Sequence, residues 1–357
     1  MSNDFLFTFI IYNVRIGKDW RGKMKYLEND VFDLIRNGKT IREIRQETNT
    51  NFRNLSLMVW NITQKNNMVP DINDSGELRY VFDDECMNTI SIDLKYAHNF
   101  RAMVISDTHF GNSYSNFEYL DLIYDYCRRN GIHIIIHCGD FIDGTFSREY
   151  RDNKMPKAQI INAVNNYPFD DRILNLVCFG NHDYSAFEMG INIREKIQRQ
   201  RYDIIPFALG CGVINIGSDI FYVRHKIEGF NYMPIENHFA LDGHSHKMMI
   251  TSRSNFVKIN VPTLSDLCFD ENQSFPGAID MNLSLNNNFH IASGQFTHLI
   301  ICDELKKVRP NLGGIIETGR YNYKFAFEMS PIYDKTYIPN VLDDNKHEIV
   351  KKYGYTK

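Results

Sequence analysis

The sequence predicts an α/β protein with a small helical module ahead of its main domain. Three patterns carry that expectation. Beyond Ala102, short apolar runs alternate with stretches of helical periodicity, as in a largely parallel sheet with crossover helices. Five of those runs end in clusters of Asp, Asn, His and Gly. Residues 26–82 read as three short helices followed by a hairpin. A chain of 357 residues has room for about two such units.

The first helix carries Val31, Phe32, Leu34 and Ile35 and stops at Gly38, where a left-handed residue commonly ends a helix. A second opens at Thr40 with Glu43 three residues on, a capping box for two otherwise unpaired backbone donors. Its Ile41 and Ile44 share one face. After Thr48-Asn49-Thr50 a third helix places Phe52, Leu55, Val59 and Ile62 at intervals of three and four. Met68-Val69 and Leu78–Phe82 then flank Asp74-Ser75-Gly76, a hairpin signal. The pattern resembles a winged helix-turn-helix. If it binds a duplex, the third helix enters the major groove with Arg53 exposed, and Lys39, Arg42 and Arg45 lie near phosphates.

A polar linker is expected near residues 83–88, followed by an edge strand around Ile90–Leu94. Strands are predicted at Met103–Ser106, Ile132–Cys138, Ile173–Phe179, Ile220–Arg224 and His238–Asp242. Ser115 and Glu118 form a second expected capping box. It opens a helix whose buried stripe is Phe117, Leu120, Ile123, Tyr124 and Cys127, closed by Gly131. The expected boundaries are an unassigned extension over 1–23 (with Met24 as an alternative start), the module over 24–88, the main domain over 89–335 and a tail over 336–357.

Composition narrows the class. Hydrophobic residues make up 43% and charged residues 24%, which excludes a disordered or low-complexity chain. The net charge of −4 excludes a uniformly basic nucleic-acid binder, although residues 1–65 hold 11 Lys and Arg against 7 Asp and Glu. Seven scattered cysteines with no C-x-x-C pair read as buried free thiols in a reducing compartment. The apolar run Phe5–Tyr12 is too short to span a bilayer, and Asp4 precedes it where a signal peptide needs positive charge. A soluble, cytoplasmic protein with no membrane partner is expected.

The chemistry lies at the strand ends. Ala102–Ser106 leads into Asp107-Thr108-His109, and Ile132–Cys138 into Gly139-Asp140-Phe141-Ile142-Asp143. Ile173–Phe179 leads into Gly180-Asn181-His182-Asp183, Ile220–Arg224 into His225, and His238–Asp242 into Gly243-His244-Ser245-His246. Loops at the carboxyl ends of strands in an open α/β sheet converge on one crevice. Carboxylate and amide oxygens mixed with imidazoles, and no thiolate, suit borderline divalent ions. A two-metal clamp needs its ions about 3.5–4 Å apart and hence a bridging carboxylate; Asp140 on the central cluster is the natural one.

Asp-x-His, Gly-Asp-x-x-Asp, Gly-Asn-His-Asp, a lone His after a strand and Gly-His-x-His occur in that order over residues 102–250. This five-part signature resembles the calcineurin-like metallophosphoesterase superfamily. The resemblance implies a four-layer αββα sandwich with two divalent ions, Mn first, with Fe, Zn or Co as alternatives. It implies that Asp107, His109, Asp140 and His246 hold one metal, and Asp140, Asn181, His225 and His244 the other. A bridging hydroxide is then the nucleophile, His182 stabilises or protonates the leaving alkoxide under orientation by Asp183, and Asp143 fixes a ligand histidine. His225 lacks a glycine-flanked motif of its own, and His238 is the alternative. His133, His137, His290 and His298 read as structural.

The superfamily acts on many phosphoesters, so the site implies a reaction type and not a substrate. The module upstream and the cationic, aromatic stretch Arg148, Glu149, Tyr150, Arg151, Lys154 and Lys157 point to DNA or RNA as substrate. A further basic run, Arg194, Lys196, Arg199 and Arg201, reads equally well as a solvated helix face. The alternative substrate is a small phosphorylated molecule or nucleotide, with the module serving protein contact.

Overall fold

The computed structural model describes residues 17–18, 24–25, 28–73, 75–82, 89–92, 94, 97–145, 155–227, 239–253, 256–266, 276–302, 307–319 and 322–326. A two-stranded ribbon, β1 (Gly17–Lys18) and β2 (Met24–Lys25), stands first. Helices α1 (Glu28–Arg36), α2 (Ile41–Thr48) and α3 (Phe52–Asn66) follow, then the antiparallel hairpin β3 (Met68–Ile72) and β4 (Leu78–Phe82). Both expected capping devices are present: the Thr40–Glu43 box opens α2, and Gly38 has φ +78° just beyond α1. The linker expected at 83–88 lies outside the described residues.

The main unit runs β5 (Thr89–Ile92), β6 (Asn99–Ile105), α4 (Phe117–Asn130), β7 (Ile134–His137), α5 (Pro156–Asn166), β8 (Leu174–Phe179), α6 (Asn181–Glu188), α7 (Ile193–Gln198) and β9 (Ile204–Leu209). It continues with β10 (Cys211–Ile216), β11 (Asp219–Arg224), β12 (Phe239–Asp242), β13 (Met249–Arg253), β14 (Phe256–Asn260), β15 (Gly277–Leu285), β16 (Ile291–Cys302), β17 (Lys307–Gly319) and β18 (Asn322–Ala326). Strands β6, β7, β8 and β9 are parallel neighbours, and beyond β6 the sheet continues antiparallel through β15, β16, β17 and β18. Strands β9 and β10 share a single residue pair, Leu209 with Cys211, so the sheet doubles over at that corner. Strands β10, β11, β12, β14 and β13 form the second leaf.

Side-chain alternation builds two cores around the first leaf. Ala102 and Val104 on β6 and Ile134 and Ile136 on β7 face the second leaf, where Ile214, Phe221, Leu241 and Ile259 meet them. Met103, Ile105 and Ile135 face the other way, onto Leu120, Ile123 and Tyr124 of α4, Ile160 and Ala163 of α5, and Ile193 and Ile197 of α7. Burial on both faces explains why these strands read as unbroken apolar runs. The result is a mixed α/β fold of helices, sheet and sheet. Every helix among the described residues precedes β9, so the second helical cover of the expected four-layer sandwich is not among them.

Two local expectations need correction. Asn116, not Ser115, caps α4: its Oδ1 accepts from Glu118 N at 3.0 Å, while Ser115 Oγ donates to Asn112 O. Arg201 is not part of a solvated basic face. It is 2% exposed, its guanidinium meets both carboxylate oxygens of Asp203, and it donates to the carbonyls of Val164, Tyr167 and Pro168. Arg199, by contrast, pairs with Glu195 one turn back on the surface. Cys127, Cys138 and Cys178 are buried free thiols, as expected, whereas Cys211 is a free thiol only half-buried.

The helical module sits against the starts of β8 and β9. Phe52 of α3 stacks on Phe169 with ring centroids 4.7 Å apart, Tyr202 N donates to Ser56 Oγ, and Arg53 donates to Asn165 Oδ1 at 2.9 Å. Arg45 lies 3.4 Å from Asp171 and over the Phe169 ring. Arg42 pairs with Glu77 within the module. The N-terminal half of a recognition helix carries the base contacts. In that half of α3, Phe52 and Ser56 meet the main unit, while Arg53 is exposed, as expected, beside the exposed Asn54. No helix among the described residues is long and apolar enough to cross a membrane.

Candidate metal centre

The five clusters meet at the carboxyl ends of β6, β7, β8, β11 and β12. Asp107, His109 and His246 offer ligand atoms all within 4.8 Å of one another, and so do Asp140, His225 and His244. Asn181 joins the second group, its Oδ1 lying 3.1 Å from His225 Nε2 and 3.2 Å from His244 Nδ1. Asp140 stands between the groups. Its Oδ1 is held by His182 N at 2.9 Å. Its Oδ2 lies 3.1 Å from His225 Nε2 and 3.8 Å from both His109 Nε2 and His182 Nε2. His225 is buried at this point; the alternative, His238, lies outside the described residues.

The backbone is bent to achieve this. Asp107, His109, Asp140, His244 and His246 all have φ between +46° and +72°, in the left-handed region. Only three other non-glycine residues among those described share it: Asn49, Asn67 and Phe289. Such conformations persist where the surrounding structure imposes them, and they cluster at functional sites. The turn also demands close approach. A side chain at Gly180 would overlap Asp140 Oδ1 and the His225 ring, and one at Gly139 (φ +104°) would overlap His225.

The electrostatics follow from burying two carboxylates among five imidazoles. Burial disfavours the charged form of His225, but Asp140 and Asp107 outweigh it and hold its pKa up at about 10. Burial likewise opposes His182, which Asp140 and Asp143 raise to about 9. Burial, reinforced by His182, lowers His109 to about 3. Asp140 stays well below its usual range because its histidine neighbours overcome desolvation.

The donor set fits divalent cations. His109 Nε2 and His246 Nε2 converge at 3.4 Å, an approach that needs a proton or a cation between two nitrogen lone pairs. His109 Nδ1 is buried with no hydrogen-bond partner, and Asp107 Oδ1, although 3.1 Å from His246 Nε2, has no aligned donor.

The remaining residues divide in a way the sequence did not announce. Asp143 lies 3.8 Å from His109 Nδ1, accepts from Asn112 Nδ2 at 3.0 Å, and its backbone carbonyl is 2.8 Å from His182 Nδ1. Asp183, expected to orient His182, instead accepts from the backbone N–H groups of Phe141, Ile142 and Gly180. It ties the two ligand-bearing loops together, while burial and the nearby Asp140 charge push its pKa up to about 7. His137 is structural as expected, 3.0 Å from Thr108 Oγ1. His290 pairs with Asp219 and His298 is buried, both far along the chain from the ligands. Arg42, Arg45 and Arg53 are engaged at the module, away from this pocket. Arg148, Arg151 and their neighbours Tyr150 and Lys154 lie outside the described residues.

An α/β fold with buried carboxylates, an amide and histidines gathered at its strand ends defines a hydrolase of phosphate esters that uses divalent metals. Residues 100–291 match the family model of the calcineurin-like phosphoesterases, and the chain belongs to that family. Among solved structures it is similar to Yfce, a phosphoesterase from E. coli, at 13% identity over 55% of this chain and 98% of that one, with a TM-score of 0.35. It is also similar to an archaeal phosphodiesterase, at 14% identity over 59% and 98% with a TM-score of 0.33. Vps29 of Chaetomium thermophilum is similar at 12% identity over 62% and 96%, with a TM-score of 0.36. No curated protein matches the chain.

Proposed function

We propose that the chain is a two-metal phosphodiesterase acting on nucleotide-containing diesters, with a DNA or RNA end as the polymeric case. One ion is held by Asp107, His109, Asp140 and His246, and the other by Asp140, Asn181, His225 and His244. The observation that carries this reading is Asp140: one oxygen is anchored by the His182 backbone while the other faces ligands of both groups. Divalent cations in these positions, Mn foremost and Fe, Zn or Co alternatively, supply Lewis acidity and a water of near-neutral pKa.

The chain's own side chains supply the rest. A carbonyl can only accept, so His182 Nδ1 donates to Asp143 O, and Nε2 is left toward Asp140 and the pocket. That nitrogen is placed to hand a proton to the departing oxygen. Asp143 thereby positions His182 through its carbonyl, while its carboxylate faces His109 Nδ1 at 3.8 Å.

Nucleic acid was the substrate expected from the sequence, with the N-terminal module docking the duplex. The docked α3 and its engaged arginines favour recognition by the catalytic unit's own surface instead. The test sets monoester, diester, nucleotide and DNA substrates side by side in Mn²⁺. Hydrolysis of bis-p-nitrophenyl phosphate is expected, and it should fall to background in Asp140→Asn. Full turnover in that variant would overturn the reading.

A further inference from the structure

A pocket of about 260 Å³ opens directly beside the metal centre, and no step of the reaction just described uses it. It is built on β11, β12 and β14, whose register sets Arg224 beside Asp242 and Asp242 beside Asn260. His244 forms its inner wall, and the same imidazole lies 3.2 Å from Asn181 Oδ1, so the pocket and the metal centre share a side chain. Its charged walls are Arg224, Lys226, Lys258 and Asp242.

These charges are only partly answered. Arg224 meets both oxygens of Asp242 at 2.7 Å, and Lys258 lies 3.5 Å from the same carboxylate. Among the described lining residues three cations face the one carboxylate of Asp242, and Lys226 is exposed at the rim. A second observation is independent of charge. Asn260 is 6% exposed, its Nδ2 donates to Ser245 Oγ at 3.0 Å, and its Oδ1 is buried with no hydrogen-bond partner. Buried polar atoms are rarely left unpaired, so this acceptor calls for a donor from outside the fold. A group with an anion and a hydroxyl answers both demands.

We propose that this pocket is a subsite for a second phosphate of the substrate, joined through a sugar to the phosphate at the metal centre. The phosphate sits among Lys226, Lys258 and Arg224, and a sugar hydroxyl donates to Asn260 Oδ1. The inference deepens the phosphodiesterase reading and rests on it for the phosphate at the metals. It selects substrates of nucleoside bisphosphate or oligonucleotide type over simple diesters.

The test is a binding ratio measured by calorimetry on the metal-stripped full chain, where neither ligand is turned over. The probes are thymidine 3′,5′-bisphosphate and thymidine 5′-monophosphate. A charge-assisted contact to the second phosphate predicts at least about tenfold tighter binding of the bisphosphate. That ratio should collapse toward one in Lys226→Gln and, separately, in Lys258→Gln. Each variant carries its own internal reference, since both ligands are measured on the same preparation. Equal affinity of the unaltered protein for the two probes would overturn the subsite, as would a ratio unmoved in both variants. Turnover of bis-p-nitrophenyl phosphate in Mn²⁺ is scored separately: its absence with the ratio intact refutes the phosphodiesterase reading and leaves the phosphate pocket standing.

Discussion

Replacing His244 by glycine and by alanine separates what the metal centre does from what it costs the fold. Both variants delete the same exposed imidazole, and both keep the backbone N–H that donates to Asp107 Oδ2 at 3.1 Å. They differ in how they tolerate φ +72°. A side chain with a Cβ in the left-handed region costs about 1–2 kcal/mol, which glycine escapes. Glycine in turn loses about 0.4–1 kcal/mol more through the unfolded chain's freedom. The balance leaves the glycine variant about 0.5–1 kcal/mol more stable. At about 2–4 °C per kcal/mol for a domain of 150–250 residues, its Tm should lie about 1–4 °C above that of the alanine variant. The measurement is scanning calorimetry of the two metal-stripped proteins, with retained Mn²⁺ measured alongside. Alanine is the more stable of the two at ordinary positions, so the expected order is an inversion. If His244→Ala melts at or above His244→Gly, the left-handed ligand backbone is not a source of strain.

Three further outcomes follow from the same structure. Mn²⁺ at a hundredfold excess over its Kd should stabilise the intact chain by about 2.7 kcal/mol in thermal denaturation, and Asp140→Asn should lose most of that shift. Asp183→Ala strands three buried backbone N–H groups at about 1–3 kcal/mol each, so its Tm should fall steeply before any substrate is added. Arg201→Met leaves the Asp203 carboxylate buried without its partner and should cost about 3–5 kcal/mol in urea denaturation. Arg201→Met with Asp203→Leu should recover much of that loss.

The candidate ligands were legible as a converging set because each is announced twice, by a polar residue type and by its place after an apolar run. Ile132–Cys138 followed by Gly-Asp could be read as a strand ending in a ligand without knowing what lay opposite. The caps at Thr40 and Gly38 were equally plain, being local hydrogen-bonding devices. What stayed hidden depends on distant partners. Asp183 belongs to a tetrapeptide that points at His182, yet besides Gly180 N its oxygens serve the N–H groups of Phe141 and Ile142, about forty residues earlier in the chain. Arg201 closes a run of basic residues, and only the arrival of Asp203, Tyr167 and Pro168 shows it to be interior. The seven-residue alternation of β6 declares two buried faces but not which helix or strand covers each.

The position of the module bears on how it relates to catalysis. Its contacts fall on Asn165, Phe169, Asp171 and Tyr202, all just ahead of β8 and β9. The candidate metal ligands stand at the other ends of the parallel strands, with Asn181 just beyond Phe179. Six strand residues at about 3.3 Å each put roughly 20 Å of packed sheet between the two ends. A duplex held by α3 would therefore lie at the pole away from the candidate metal site. The buried side chains of the module, Val31, Ile41, Ile44, Leu55 and Val59, belong to the same apolar core as Ile134, Leu174 and Ile205. They seal the lower end of that core. The module thus meets these strands at the end opposite the candidate ligands, and under the proposed reading selection among phosphoesters falls to the loops and the cationic pocket beside those ligands.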